Sequence, residues 1–156
     1  MLPLILAICV VFFDQWTKSL VRQHLDLFEN IILIDGFFDL RYIQNTGAAW
    51  GLFSDGHFWL AGLSLVVLII LVIWQRYFFR DCTMDRIAFG LLAGGIVGNI
   101  IDRVRLQYVV DFLDFYWRGR HFPAFNVADS AICIGVGILL WSQFLMARAE
   151  YLARKS

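Results

Sequence analysis

The run F58-W-L-A-G-L-S-L-V-V-L-I-I-L-V-I-W-Q-R-Y-F-F79 decides the fold class. It carries no charged residue before Arg76, and about 20 predominantly apolar residues are what a helix needs to cross a bilayer core. Three more such runs stand in the chain: Leu2 to about Val21, about Arg86 to Val104, and about Ala124 to Ala147. Four membrane-spanning helices are therefore predicted. Hydrophobic residues make up 60% of the 156, far above the soluble average, and two prolines with no flexible linker argue for one domain over residues 1–156. The first run lacks the basic flank and small-residue cleavage site of a secretory signal and passes straight into Asp14 and Lys18, so it is expected to be a retained span.

Four crossings put both termini on one side of the membrane, with Gln23 to His57 and Arg105 to Pro123 on the other. Basic residues do not orient the chain: six on the terminal side face seven opposite. In the first long connection, I31-I-L-I34 and F37-F-D-L-R-Y42 flank Asp35-Gly36, a pair suited to a two-residue hairpin turn. Phe38, Leu40 and Tyr42 alternate with Asp39 and Arg41, so a small sheet with one apolar face is predicted between the first two helices. The fold class is thus all-α membrane protein with a small β-sheet.

Zero net charge and the lack of a basic stripe exclude nucleic acid as a partner; the bilayer is the expected surrounding. Cys9, Cys82 and Cys133 give no disulfide framework and are expected to be small apolar filler. His24, His57 and His121 are isolated, which matches no metal-ligand spacing. No metal or other cofactor is expected.

Charges near apolar spans are costly, about 2.5 to 3.5 kcal/mol each at the centre of a helix, and so mark sites of interest. Asp14 and Lys18, four apart, share a helical face and suit a structural ion pair. The glycines of G90-L-L-A-G-G-I-V-G-N-I-I-D-R103 suit close helix packing, while Asn99 and Arg103 project from one face and Asp102 turns away from Arg103. Arg103 fits either neutralisation of an acid on another helix or a grip on substrate carbonyls. Asn126 followed by Asp129 has the spacing of a helix cap, which competes with a chemical role for Asp129. Asp111, in V109-V-D-F112, is delivered to the same membrane edge by a separate segment, and Asp114 competes with it. Two facing carboxylates sharing one proton are equipped for acid–base hydrolysis without a metal. A proton-relaying transporter or an assembly subunit is the rival reading, but its acids would be spread through the membrane depth.

Five ordered blocks, D14-Q-W-T-K18, N45-T-G-A-A-W-G51, G94-G-I-V-G-N-I-I-D-R103, V109-V-D-F112 and F122-P-A-F-N-V-A-D-S130, resemble the bacterial lipoprotein signal peptidases, or signal peptidase II, over nearly the whole chain. The resemblance implies an aspartic endopeptidase of the bacterial inner membrane with Asp111 and Asp129 as its catalytic dyad. Asn45, Asn99, Arg103 and Asn126 would line the substrate groove, with Asp14 and Lys18 in structural support. It also implies cytoplasmic termini, an extracytoplasmic sheet and dyad, and prolipoprotein substrates cut just before a diacylglyceryl-modified cysteine. A monomer is expected. The second block departs from the family with Trp50 where phenylalanine is usual, and the first span has no basic flank.

Overall fold

Apolar runs become helices here because a bilayer offers the backbone no hydrogen-bonding partner, so every spanning segment must satisfy its own N–H and C=O groups. The computed structural model describes residues 1–47, 57–80 and 82–155. Its elements in chain order are α1 (Leu2–His24), β1 (Asn30–Ile34), β2 (Phe38–Asn45), α2 (His57–Ile73), α3 (Gln75–Phe78), α4 (Thr83–Leu106), β3 (Val109–Trp117), β4 (Arg120–His121) and α5 (Val127–Ala153). Among the described residues, α1, α4 and α5 are long and apolar enough to cross a membrane. The Phe58–Phe79 run divides: α2 has 17 residues, about 26 Å at 1.5 Å each, and the chain turns at Trp74 into the four-residue α3. The helix expected from about Ala124 begins at Val127, because Phe125 forms a bridge with Leu113 and Asn126 caps the helix.

α4 is the central helix. Some 56% of its apolar stretch is buried, against 17% for α1 and α5, whose Leu4, Phe12, Leu140 and Phe144 face outward as lipid-facing residues do. Glycine makes that packing close. A Cβ on Gly95 would lie 2.5 Å from the Ala128 carbonyl oxygen of α5, and one on Gly98 would lie 2.7 Å from Asp14 Oδ2 of α1. Cys9 and Cys133 are exposed on the outer surfaces of α1 and α5, so neither fills the interior.

The sheet is larger than predicted. Its order is β1-β2-β3-β4, antiparallel throughout, so half of its strands come from the connection between α4 and α5. The hairpin loop has three residues, Asp35 to Phe37, with Ile34 paired to Phe38 and Gly36 in the left-handed region at φ +74°. A two-residue turn is replaced because the register shifts between Ile32 and Ile34, and a bulged hairpin takes the longer loop. On β2 the simple alternation breaks at a second shift between Leu40 and Ile43, leaving Asp39 and Tyr42 buried. Val21 of α1 and Leu25, which caps it, pack with Tyr42, Val110 and Phe112, which seats the sheet on the helix ends.

Candidate active site

α5 begins with a capping box. The Asn126 Oδ1 accepts from Asp129 N at 2.9 Å, and Asp129 Oδ2 accepts from Asn126 N at 3.3 Å. The capping and chemical readings of Asp129 are therefore compatible: its other oxygen, Oδ1, accepts from Asn99 Nδ2 of α4 at 2.7 Å. Asp111 lies on β3, opposite Ile43 of β2, and is 2% exposed. Both of its oxygens accept amide hydrogens, Oδ1 from Asn126 Nδ2 and Oδ2 from Asn45 Nδ2, each at 2.8 Å.

One amide thus touches both acids. Asn126 caps Asp129 through its oxygen and donates to Asp111 through its nitrogen, which also approaches Asn99 Oδ1 at 3.3 Å. The orientation of Asn99 is equally determined. Its Oδ1 accepts from Lys18 Nζ at 3.0 Å, so its NH₂ must turn to Asp129.

Lys18 sits in a buried ion cluster behind this network. Its Nζ lies 2.8 Å from Asp14 Oδ2 and 3.0 Å from Asp102 Oδ2. Asp14 Oδ1 accepts from Ala128 N of α5 at 2.9 Å, and Asp102 Oδ2 accepts from Val110 N of β3 at 3.1 Å. Gln15 Nε2 donates to Asp102 Oδ1 at 2.8 Å. Charges this deep are tolerated because each is paired and its remaining lone pairs are satisfied. The cluster joins α1, α4, α5 and β3 at one point, directly behind the two acids.

Burial and the neighbouring Asp129 charge push the Asp111 carboxyl up to about 7, while hydrogen bonds from Asn45 and Asn126 and the Lys18 charge pull the other way. Asp114 lies three residues further along β3, on the opposite face of the strand. It is buried against His121 Nδ1 at 2.9 Å, with Arg41 Nη1 at 3.8 Å, and takes no part in the network around Asp111.

Asn45, Asn99, Asp111, Asn126 and Asp129 therefore come together in one network, with Asp14 and Lys18 behind it. Arg103 stands at its edge, half-buried, with Nη1 3.5 Å from the Asn99 carbonyl oxygen. Ala48 to Gly51 of the second motif block, Trp50 included, lie outside the described residues. The sequence reading missed Asp102 and Gln15. Asp102 turns away from Arg103, as predicted, but toward Lys18; the available signal was its three-residue spacing from Asn99, which puts both on one helical face. Among the described residues, no group of three or more His, Cys, Asp or Glu side chains is placed to hold a metal ion.

This geometry is accompanied by close likenesses. A solved bacterial membrane enzyme, determined by the in meso method at 2.3 Å, superposes with a TM-score of 0.81 at 34% identity, covering 91% of this chain and 87% of that one. The lipoprotein signal peptidase of Syntrophotalea carbinolica is 43% identical over 145 residues, covering 90% of this chain and 89% of that protein. That of Symbiobacterium thermophilum is 42% identical over 148 residues, covering 95% and 97%. A family model described as signal peptidase (SPase) II matches residues 6–145. Matched by that family model over residues 6–145 and similar to these proteins over most of its length, the chain belongs to the signal peptidase II family.

Proposed function

We propose that this protein is a membrane aspartic endopeptidase that removes the signal peptide from diacylglyceryl-modified prolipoproteins, with Asp111 and Asp129 as its dyad. The observation that carries this reading is the shared amide: Asn126 donates to Asp111 through its nitrogen and accepts from the Asp129 backbone N–H through its oxygen, so two acids from different elements are held to one side chain. Burial and the nearby Asp129 charge favour a proton retained on Asp111. Raised to about 7, Asp111 holds that proton at neutral pH and below.

In the reaction, ionised Asp129 takes a proton from water as the water oxygen bonds to the scissile carbonyl carbon. Asp111 gives its proton to the carbonyl oxygen, which becomes the hydroxyl of a tetrahedral intermediate. On collapse the hydroxyl proton returns to Asp111 as the carbonyl re-forms, the C–N bond breaks, and the leaving amine of the lipidated cysteine takes the proton that Asp129 holds. The signal peptide departs with a new carboxyl end. Asn45 and Asn99 hold the acids in register, and the Arg103 guanidinium at the rim offers forked donors to substrate carbonyls.

The same reading places four crossings in the inner membrane, α2 with α3 forming the second, both termini in the cytoplasm and the dyad on the outer side. Lipid on the substrate accounts for a protease whose acids sit at the start of α5 and on the adjoining strand β3: the acyl chains stay in the bilayer while the peptide bond reaches water. The test is cleavage of a lipobox peptide by the purified chain in detergent containing a chelator. Cutting before the cysteine of the diacylglyceryl form, and about 100-fold or more slower cutting of the unmodified form, is expected, since remote binding energy serves the reaction. Equal cleavage of both forms, or none of either by folded protein, would refute the reading.

A further inference from the structure

The strand that carries Asp111 also carries an aromatic track. Asp111, Leu113 and Phe115 alternate on one face of β3, and register sets Leu40 and Phe38 of β2 beside Leu113 and Phe115 on that same face. There the rings form a ladder: Phe38 stacks on Phe115 with centroids 4.5 Å apart, and Phe115 stacks on Phe125 at 5.8 Å. Phe125 immediately precedes Asn126, whose amide touches both acids, so the ladder begins at the dyad. It extends to Phe115, four strand residues from Asp111 or roughly 13 Å along β3. Phe37 and Phe122 form its exposed rim, each meeting a ladder ring edge to face. Resting on the prolipoprotein reading above, we propose that this ladder is the subsite for the acyl chains of the substrate's diacylglyceryl group. It holds the carbons nearest the glyceryl while the chain ends stay in the bilayer.

Burial is inverted at this end of the sheet. On the opposite face Asp39 and Asp114 are register partners, 5% and 2% exposed, whereas Phe38, Phe115 and Phe125 are half-buried and Phe122 is 59% exposed. A sheet with water on its ladder side would favour the reverse order, and contiguous exposed aromatic surface marks a binding face.

Backbone chemistry selects an acyl chain over a peptide. β2 is hydrogen-bonded to β1 and β3, and the far side of β3 is closed by β4 and by Phe125, whose N–H and C=O both bond to Leu113. Both ladder strands thus have their edges taken, and a peptide laid across the rings would leave its own N–H and C=O groups without strand partners. Hydrocarbon needs no such partners, and each methylene laid against the rings is removed from water.

The test compares steady-state cleavage of one lipobox peptide in two forms, diacylglyceryl-modified and unmodified, by the full chain in detergent. In Phe115→Thr the modified form's advantage in kcat/KM is expected to fall about tenfold, the scale of one or two methylenes uncovered, with cleavage of the unmodified form within about twofold of the parent. Phe115→Leu is expected to recover most of the advantage, and melting checks that both variants fold. Should Phe115→Thr not fold, Phe122→Ser at the exposed rim is expected to lower the advantage in the same direction. Photolabelling reads the contact without cleavage: a modified peptide with a diazirine near the ester end of one acyl chain is expected to label residues 113–125 of the parent. An unchanged advantage in the folded variant, equal slowing of both forms, or labelling confined to the spanning helices would overturn the subsite. A parent that cleaves neither form would sink the prolipoprotein reading instead, and the labelling would still decide the subsite.

Discussion

Asn126 is a short side chain with three jobs: its oxygen caps α5, its nitrogen holds Asp111, and the same nitrogen reaches Asn99. Its amide cannot flip without losing the cap, so Asp111 always meets a donor. The proton bound to Asp111 then sets the pH dependence. An acid raised to about 7 is protonated below that value and ionises as pH rises through it, so turnover is expected to fall on the alkaline side of about pH 7. In Asn45→Ala a donor to the ionised form is lost, and the alkaline limb is expected to move upward in a pH–rate series. A limb that stays in place would detach Asp111 from the proton-donating step. Asp114→Asn is expected to keep turnover within about tenfold of the parent, because its carboxylate faces His121 and Arg41 on the other side of the strand. A loss equal to that of Asp111→Asn in the same assay would reverse the choice of acid. The choice between Asp111 and Asp114 was beyond residue spacing alone: β3 is buried on both faces over Val109 to Phe112, so hydrophobic alternation gives no direction for either acid. Family motifs separated the two where periodicity could not.

α4 is where packing and chemistry meet. Its glycines let α1 and α5 approach until Asp14, Lys18, Asp102 and Ala128 share one junction. A methyl at Gly98 would press on Asp14 Oδ2 at 2.7 Å and on the Ala128 side chain at 3.3 Å, so Gly98→Ala is expected to cost about 1–3 kcal/mol. Thermal melting in detergent measures this, and an unchanged midpoint would mean the helices are less closely held than described. Lys18→Met leaves Asp14 and Asp102 without their cation and is expected to destabilise by about 3–5 kcal/mol. Adding Asp14→Asn and Asp102→Asn is expected to recover part of that loss, a pattern that simple loss of packing would not give. At this scale the long elements were legible, since a bilayer demands apolar length and the chain supplies it at α1, α4 and α5. The sheet was half legible. β1 and β2 carry turn chemistry and partial alternation, whereas β4 has only two residues and β3 carries acids where an apolar face would be read. The pairing of Asp102 with Lys18 escaped notice because α4 is apolar on nearly every side, which leaves no stripe to say which polar residue faces inward.

Among the described residues, most buried polar side chains gather in two separate groups. One group holds the acids, their asparagines and the Lys18 cluster; the other holds Asp85 and Ser142, which Arg80 joins. The first group was largely legible, because its residues stand in motif blocks that resemble a known family. The second was not, because Asp85 and Ser142 are 57 residues apart and meet only when α4 and α5 pack. The most direct measurement is turnover of a diacylglyceryl-modified lipobox peptide by Asp111→Asn and Asp129→Asn, each purified and checked for folding. A fall of roughly 1000-fold or more in both is expected, and no further fall in the double variant, because the two acids act as a unit. Substantial turnover in either folded variant would contradict the account.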